Sequence, residues 1–316
     1  NNATGENTEI NKRVVYDSPY GELVKPTREY TVSFNTNGGN KLSDQKVTHV
    51  FEGWYKESSL VNRITEDTVV TTASNHTIYA KWTMGSVRLP EVTRIGYTFE
   101  GWYEDSGLTG TVYESGVAYT PTENTIFNAK WQVNEYTVTY DYSTNGGDSS
   151  TKENAKVEYD SYIDLTVSAT KSGYNFIGWN TNKDATTALT SLKMEASNVT
   201  IYAIYGKELS AVFNYYNEKI ITVKATAYNK ETSAQISAPG ALGIPSGYTF
   251  RGWSKLNTAN AKIDLTATGA VELSSNAIYY ASYEQKVTAT YYYNSGNTSE
   301  GWASTTQSSA TASGLR

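Results

Sequence analysis

A four-residue motif, Phe-x-Gly-Trp, occurs four times in this chain and constrains its fold more than any other feature. The copies occupy residues 51–54, 99–102, 176–179 and 250–253, and the last three follow a Gly-Tyr-x lead-in. Roughly 26 to 30 positions beyond each tryptophan, a strand-like segment ends in an aromatic residue: Trp82, Trp131, Tyr205 and Tyr283. Recurrence at a near-constant interval predicts an array of similar modules, the longest of about 70 to 75 residues.

The composition favours strands over helices. The 316 residues include 27 Tyr and 7 Trp but only 2 Met, and 18% of them are charged. Aromatic residues are enriched in strands, and abundant Thr, Asn and Gly are typical of strands and the turns between them. No stretch approaches the roughly 18 apolar residues of a membrane-spanning helix, so we expect no transmembrane segment.

The third copy of the motif has the most complete surroundings and provides a template for one module. Residues 136–140 alternate as a strand, Asn145-Gly146-Gly147 predicts a turn, and residues 156–159 form the return strand. A short helix is expected around residues 185–194, before a last strand at residues 201–205. This order predicts an α+β, strand-dominated fold of tandem β-grasp-like modules in an elongated array.

The first half of the chain departs from this template. Residues 14–18 resemble residues 157–161, yet they precede the first Asn-Gly-Gly turn instead of following it. The second copy of the motif has no Tyr-Thr-Val hairpin before it, so the first two modules are interpreted as a permuted or merged pair. The predicted segments are a tail at 1–11, an irregular first module at 12–82, a truncated second at 83–131, a third at 132–207, a fourth at 208–285, and the start of a further module with a Ser/Thr-rich linker at 286–316.

Three motifs recur in the same order: Tyr-Thr-Val with Asn-Gly-Gly, then Gly-Tyr-x-Phe-x-Gly-Trp, then Thr-Ile-Tyr-Ala-Lys-Trp. Together they resemble the Listeria–Bacteroides repeat, also called the internalin B-type B repeat, over roughly residues 12–293. The resemblance implies β-grasp-like modules in secreted or wall-attached bacterial surface proteins, where they act as stalks or accessory adhesion segments. It also implies an extracellular location, with a host-surface or cell-wall protein or glycan as partner and neighbouring modules in contact.

Residues suited to catalysis or metal binding are scarce. Cysteine is absent, and His49 and His76 are the two histidines, so we expect no enzyme activity, no metal and no cofactor. Asp141, Asn145 and Asp148 lack the spacing of a calcium loop and are interpreted as turn residues. The formal charge of −6 and the pI near 5.2 argue against nucleic acid as a partner.

Two functions fit this pattern, a structural stalk and a glycan-binding module with exposed Tyr and Trp platforms. Eight residues occupy one repeated slot and are predicted to form structural cores: Trp54, Trp102, Trp179, Trp253, Phe51, Phe99, Phe176 and Phe250. Five tyrosines outside that slot are the candidates for ligand contact: Tyr291, Tyr292, Tyr293, Tyr215 and Tyr216. Their exposure distinguishes the two functions, because a sugar platform must be accessible.

The residue before Gly-Trp and the residue before the closing aromatic change together. Glu52 matches Lys81, Glu100 matches Lys130, and Ile177 matches Ile204, whereas Arg251 matches Ser282. Cross-strand neighbours on one face would produce this pattern, provided that a bulge at Gly101 resets the pleat. The alternative is coincidence among surface residues. Two Asn-x-Thr sequons, at Asn75 and Asn198, precede the same strand and are interpreted as turn-forming asparagines.

Overall fold

The computed structural model describes residues 11–258, 261–293 and 303–313, and every regular element in them is a strand. The protein is therefore mostly β, and the α+β prediction is wrong in its helical part. The chain divides into two compact units, Asn1–Tyr136 with Glu158–Asp160, and Thr137–Val157 with Ser161–Arg316.

The first unit contains eight strands, which form a six-stranded sheet and a small two-stranded one. They are β1 (Arg28–Asn35), β2 (Gln45–Tyr55), β3 (Arg63–Ile64), β4 (Tyr79–Thr83), β5 (Val87–Arg88), β6 (Tyr97–Tyr103), β7 (Ala118–Tyr119) and β8 (Thr125–Val133). The larger sheet has the order β3-β2-β1-β8-β6, with β4 also paired to β2, and β5 pairs with β7.

The remaining strands form an eight-stranded sheet and two small ones. They are β9 (Glu135–Asp141), β10 (Ser149–Ser150), β11 (Asn154–Glu158), β12 (Ala169–Thr170), β13 (Asn175–Asn180), β14 (Val199–Asn214), β15 (Ile220–Tyr228), β16 (Ala234–Ser237), β17 (Tyr248–Ser254), β18 (Ala270–Leu273), β19 (Ala277–Tyr293) and β20 (Ala303–Ser313). The main order is β11-β9-β14-β19-β17, with β13 and β15 on β14 and β20 on β19; β10 pairs with β12, and β16 with β18.

The helix expected around residues 185–194 is absent, and turns and an isolated bridge take its place. Its backbone groups bond to neighbouring segments: Leu189 N–H donates to the Trp179 carbonyl, and Met194 N–H donates to the Ser161 carbonyl. Thr and Ser within the segment also weaken helix formation. The segment therefore connects β13 to β14 as irregular chain with bends, and its one buried residue is Met194.

Strand β2 serves two modules. Its residues 45–49 pair with β1, and β1 pairs in parallel with β8. Its residues 50–55 pair instead with β4 and β3. The hairpin of residues 28–49, which the sequence assigned to the first module, thus packs in the second.

We accordingly number the modules by their strands. The first module comprises residues 11–24 and 50–83, and the second comprises residues 28–49 and 84–133. The third comprises residues 135–205 and the fourth residues 206–283.

The second, third and fourth modules share one strand arrangement. The first hairpin strand lies parallel to the closing strand, as the pairs Val32–Thr125, Val138–Val199 and Ala211–Ala277 show. The Phe-x-Gly-Trp strand then pairs antiparallel with the other edge of the closing strand. Long connections between these strands cover the core.

Two strands lie in the segment predicted to hold the start of a further module and a Ser/Thr-rich linker. The second half of β19 pairs antiparallel with β20, so residues 303–313 form a strand and not a linker. β-branched Thr and alternating small residues allow this pairing.

Candidate functional site

The Phe-x-Gly-Trp motif brings two aromatic side chains to the same face of a strand. Residues three apart on a regular strand face opposite sides, because side chains alternate. Here the register shifts by one residue between Phe99 and Gly101, as the prediction of a bulge required, and the same shift occurs in the other three copies. Glycine is needed at the bulge because φ is +138° at Gly101 and a Cβ there would lie 2.2 Å from Val112 Cγ2.

Each module contains the same three-ring cluster, in which the Phe lies between the Trp and the closing aromatic. The ring centroids of Phe99 are 5.3 Å from Trp102 and 5.4 Å from Trp131, with edge-to-face geometry. The equivalent distances are 5.5 and 5.4 Å around Phe51, 5.5 and 6.0 Å around Phe176, and 5.2 and 5.5 Å around Phe250. Trp102, Trp179 and Trp253 are 0% exposed, whereas Trp54 and the four phenylalanines are half-buried.

The tryptophan indole also anchors the connection that crosses the core. Its Nε1 donates to a main-chain carbonyl at Val24 for Trp54 (2.7 Å), at Pro90 for Trp102 (3.0 Å) and at Val167 for Trp179 (2.6 Å). In the fourth module, the buried Trp253 Nε1 has no hydrogen-bond partner among the described residues.

The closing aromatic lies beneath the Asn-Gly-Gly turn. Trp131 Nε1 donates to the Thr36 carbonyl at 2.9 Å, and a Cβ on Gly39 would lie 2.7 Å from the indole ring. In the third module, a Cβ on Gly147 would lie 2.0 Å from the Tyr205 hydroxyl oxygen. The second glycine of the turn therefore leaves room for the ring, and burial raises the pKa of Tyr205 to about 12.

Ion pairs connect the bulge residue to the closing strand in two modules. Glu52 lies 2.9 Å from Lys81 and Glu100 lies 3.3 Å from Lys130, so the predicted pairing is present there. All four side chains are substantially exposed, which limits their contribution to stability.

The pairing does not extend to the other two modules. Ile177 is 39% exposed whereas Ile204 is fully buried, so this pair does not share an environment. Arg251 lies 3.8 Å from Glu284, two residues beyond the predicted Ser282. In the fourth module, the side chain before Gly-Trp therefore contacts Glu284 and not the residue before the closing aromatic.

The asparagine before each closing strand has a role beyond the turn that was predicted for Asn75 and Asn198. Seven residues before each closing aromatic lies Asn75, Asn124, Asn198 or Asn276. In the last three, the side-chain oxygen accepts from a main-chain N–H of the first hairpin strand, at Thr31 (2.8 Å), Thr137 (2.7 Å) and Ser210 (2.9 Å). The constant spacing was visible in the sequence, but its partner strand was not.

The candidate ligand-contact tyrosines separate into three groups. Tyr215 is 5% exposed and its hydroxyl donates to the Gly240 carbonyl, which removes it from the accessible set. Strand alternation places it with Phe213 in the core, and leaves Tyr216 40% exposed. Tyr291, Tyr292 and Tyr293 end β19, and their side chains lie outside the described residues.

The polar residues considered for chemistry have structural partners. His49 is buried, with Nε2 3.1 Å from the Pro121 carbonyl, and His76 Nε2 lies 2.6 Å from the Tyr20 hydroxyl. The Asp141 carboxylate accepts hydrogen bonds from Thr144 and Ser143; burial opposes ionisation, but these bonds outweigh it and lower its pKa. No group of three or more potential metal ligands occurs among the described residues.

The comparisons with known proteins agree with the repeated geometry. The Listeria-Bacteroides repeat domain family matches residues 45–81, 84–130 and 136–204. The chain contains three copies of the Listeria-Bacteroides repeat. The first match begins in the part of β2 that pairs with β1, so one sequence repeat combines strands of two modules. The fourth module has the same topology but lies outside the matched ranges.

Three relatives carry similar sequence. A "Putative membrane protein" of Evansella cellulosilytica is 30% identical over 71% of this chain and 39% of its own length. A "Putative Gly-rich membrane protein" of the same organism is 29% identical over 48% of the chain and 21% of its own length. Internalin H of Listeria monocytogenes is 37% identical over 25% of the chain and 14% of its own length. The chain thus spans less than half of each relative, and its described residues include no helix able to cross a membrane.

Proposed function

We propose that this segment is a non-enzymatic spacer of a secreted or wall-attached bacterial surface protein, supporting adhesion by holding other domains away from the cell. The proposal extends to an extracellular location and to β-grasp-like modules in which an extended strap replaces the helix. Its support is the Listeria-Bacteroides repeat and the partial similarity to Internalin H.

One structural observation carries the proposal, namely the strand that the third and fourth modules share. β14 pairs with β9 at residues 199–202 as the closing strand of the third module. It continues without a break to pair with β19 at residues 211–214 as the first strand of the fourth. A shared strand leaves no flexible linker between these modules, as a spacer requires.

Side chains at the same junction add stiffness. Asn229, only 9% exposed, accepts from Tyr205 N–H at 3.2 Å and donates to the Ala185 carbonyl at 3.0 Å. Lys171 Nζ donates to the Asn145 carbonyl at 3.0 Å and lies 4.0 Å from the Tyr174 ring centroid. Burial lowers the pKa of this lysine. Residues of both modules therefore hold one buried polar network.

The strand order also suits a load-bearing role. In the fourth module, the entering strand and the leaving strand lie side by side and parallel. Tension applied at the two ends of the module would therefore shear several hydrogen bonds at once instead of opening them one at a time.

Single-molecule pulling of the 316-residue chain between inert handles tests the spacer function. We expect separate force peaks for the third and fourth modules, each releasing roughly 25 nm of chain for about 75 residues. Asn229→Ala should lower the peaks at this junction, whereas Asn62→Ala, in the first module, should not. Smooth extension without peaks would contradict a load-bearing spacer.

Glycan binding is the second candidate, and the exposed Tyr216 ring, which packs edge-on against Tyr283, is the observation that favours it. A glycan array with the wild type and Tyr216→Ala tests it. Binding lost in the variant would favour the glycan function, and an empty array would remove it.

A further inference from the structure

His49 and Met84 lie opposite each other where the chain passes between the first and second modules. The pairing of β2 with β4 ends at Val50 and Thr83. In an antiparallel ladder the next two residues to face each other are His49 and Met84. Their side chains meet, with Met84 Sδ 3.1 Å from His49 Nδ1. A nitrogen and a sulfur atom therefore converge at the two points where the chain crosses from one module to the other.

The imidazole of His49 is oriented so that its Nδ1 lone pair points at this sulfur. Its Nε2 lies 3.1 Å from the Pro121 carbonyl oxygen. A carbonyl oxygen only accepts hydrogen bonds, so Nε2 carries the proton and the neutral ring has its lone pair on Nδ1. The Tyr30 ring packs edge-on against the imidazole, and His49 is buried. Histidines that bind metals commonly donate their other N–H to a main-chain carbonyl in this way.

Gly85 allows the sulfur to come this close to the imidazole. A Cβ on Gly85 would lie 2.4 Å from the Thr48 carbonyl oxygen and 3.1 Å from Val47 Cγ1. A residue with a side chain would therefore push the segment after β4 away from β2. Met84 itself is 47% exposed, so an ion can reach the sulfur from solvent.

The neutral pair has no proton to share, because a thioether sulfur is also only an acceptor. A cation between the two atoms would attract both lone pairs. Imidazole nitrogen and thioether sulfur together favour Cu(I), since thioethers are soft ligands and imidazole also suits copper. Structural zinc sites use four ligands from Cys, His and carboxylates. Among the described residues, no group of three or more His, Cys, Asp or Glu could hold such an ion.

We propose that His49 Nδ1 and Met84 Sδ form a binding site for Cu(I). Metal bonds to nitrogen and sulfur are about 2.0 and about 2.3 Å long, so both atoms reach one ion at their present separation without a change in the backbone. The flexible Met84 side chain adjusts the angle between the two bonds. The bound ion joins β2 to the segment after β4. This site goes beyond the proposed spacer function and does not depend on it.

Nuclear magnetic resonance of the 316-residue chain, labelled with ¹³C in the methionine methyl groups, tests the site. The chain has two methionines, and Met194, buried in the third module, is the internal control. Cu(I) is added without oxygen as its acetonitrile complex. We expect the Met84 methyl signal to shift until one equivalent is bound, while the Met194 signal stays in place. Zn²⁺ should not shift the Met84 signal, because thioethers are not among its usual ligands.

Three variants separate this site from other copper-binding groups, and amide spectra check that each is folded. Gly85→Ala should weaken Cu(I) binding about ten- to a hundredfold, the range seen when groups that orient a metal ligand are lost. Met84→Leu keeps a similar volume without the sulfur, and the ring nitrogen signals of His49 should then respond only at a similarly higher Cu(I) concentration. His76→Gln changes the other histidine and should bind as the wild type does.

Two results would overturn the proposal. The first is a Met84 signal that does not move, or that moves together with the Met194 signal, because neither shows a specific site. The second is unchanged affinity in Met84→Leu, which would place the copper on other groups. Saturation at one equivalent, with weaker binding in Gly85→Ala and Met84→Leu, supports the site.

Discussion

The first and second modules contain the same motif and the same ring cluster, yet their cores differ in burial. Phe51 and Phe99 have nearly identical distances to their neighbouring rings. Trp102 is fully buried, whereas Trp54 is only half-buried. The second module has the hairpin of β1 and the first part of β2, and the first module has no such hairpin among the described residues. The motif therefore sets strand geometry, and the hairpin sets burial.

The largest expected effect is a difference in stability between alanine variants of the fully buried and the half-buried tryptophans. Trp179→Ala in the complete third module should destabilise it by ~3–5 kcal/mol, because a large buried side chain leaves a cavity. Trp54→Ala should cost roughly half as much, since part of its ring already contacts water. Denaturant unfolding, monitored by hydrogen exchange in each module, measures both. Equal losses of unfolding free energy in the two variants would contradict the inference that the hairpin sets the burial of the tryptophan. The fourth module should remain folded in Trp179→Ala, as in other linear arrays.

Loss of the indole hydrogen bond should have a smaller effect on stability, and it can be tested separately. Trp179→Phe removes a donor to the Val167 carbonyl and leaves that buried acceptor unsatisfied, in addition to the lost ring volume. Trp253→Phe loses similar volume but removes a donor that has no partner among the described residues. We expect Trp179→Phe to be more destabilising by ~1 kcal/mol, measured by thermal unfolding of the two variants. A reversed order would show that the fourth module satisfies Trp253 in another way.

Substitution of the repeated asparagine by alanine should destabilise the third module more than the first. The difference in unfolding free energy should be similar to, or slightly smaller than, the one expected for the indole hydrogen bond. Asn198→Ala removes the acceptor for Thr137 N–H and should cost about 0.5–1.5 kcal/mol. Asn75→Ala should be close to neutral, because among the described residues no hairpin strand donates to its side chain. Chemical unfolding of each variant provides the comparison. A substantial loss of stability in Asn75→Ala would show that another segment lies against this asparagine.

The difference between the first two modules also shows which features could be predicted from the sequence and which could not. Local motifs predicted the module spacing, the bulge at Gly101 and the buried slot of Trp102, because these depend on neighbouring residues and on one recurring pattern. The helix predicted around residues 185–194 was wrong, because the main-chain N–H groups of Leu189 and Met194 donate to Trp179 and Ser161, which lie outside that segment. The sequence indicated that the first two modules are permuted or merged, but it did not show which module the hairpin at residues 28–49 joins, because either module supplies a similar closing strand. The role of Asn198 was missed because its partner, the Thr137 N–H, is 61 residues away in the sequence.

The smallest effect concerns the ion pair between Glu52 on β2 and Lys81 on β4. Hydrogen bonds from the Thr83 hydroxyl and from Lys81 lower the pKa of Glu52 below its usual value of 4.5. A carboxyl whose pKa is lower in the folded state favours folding above its unfolded pKa, and that contribution disappears as the pH falls through the lowered folded value. Glu52→Gln should therefore lower the unfolding temperature of the first module slightly at pH 7 and leave it unchanged near pH 2. Glu123→Gln, on a surface turn before β8, serves as the control and should show no pH-dependent difference. Because the Glu52 side chain is exposed, the effect should also diminish with added salt. A difference that persisted near pH 2 would show that Glu52 acts by packing and not by its charge.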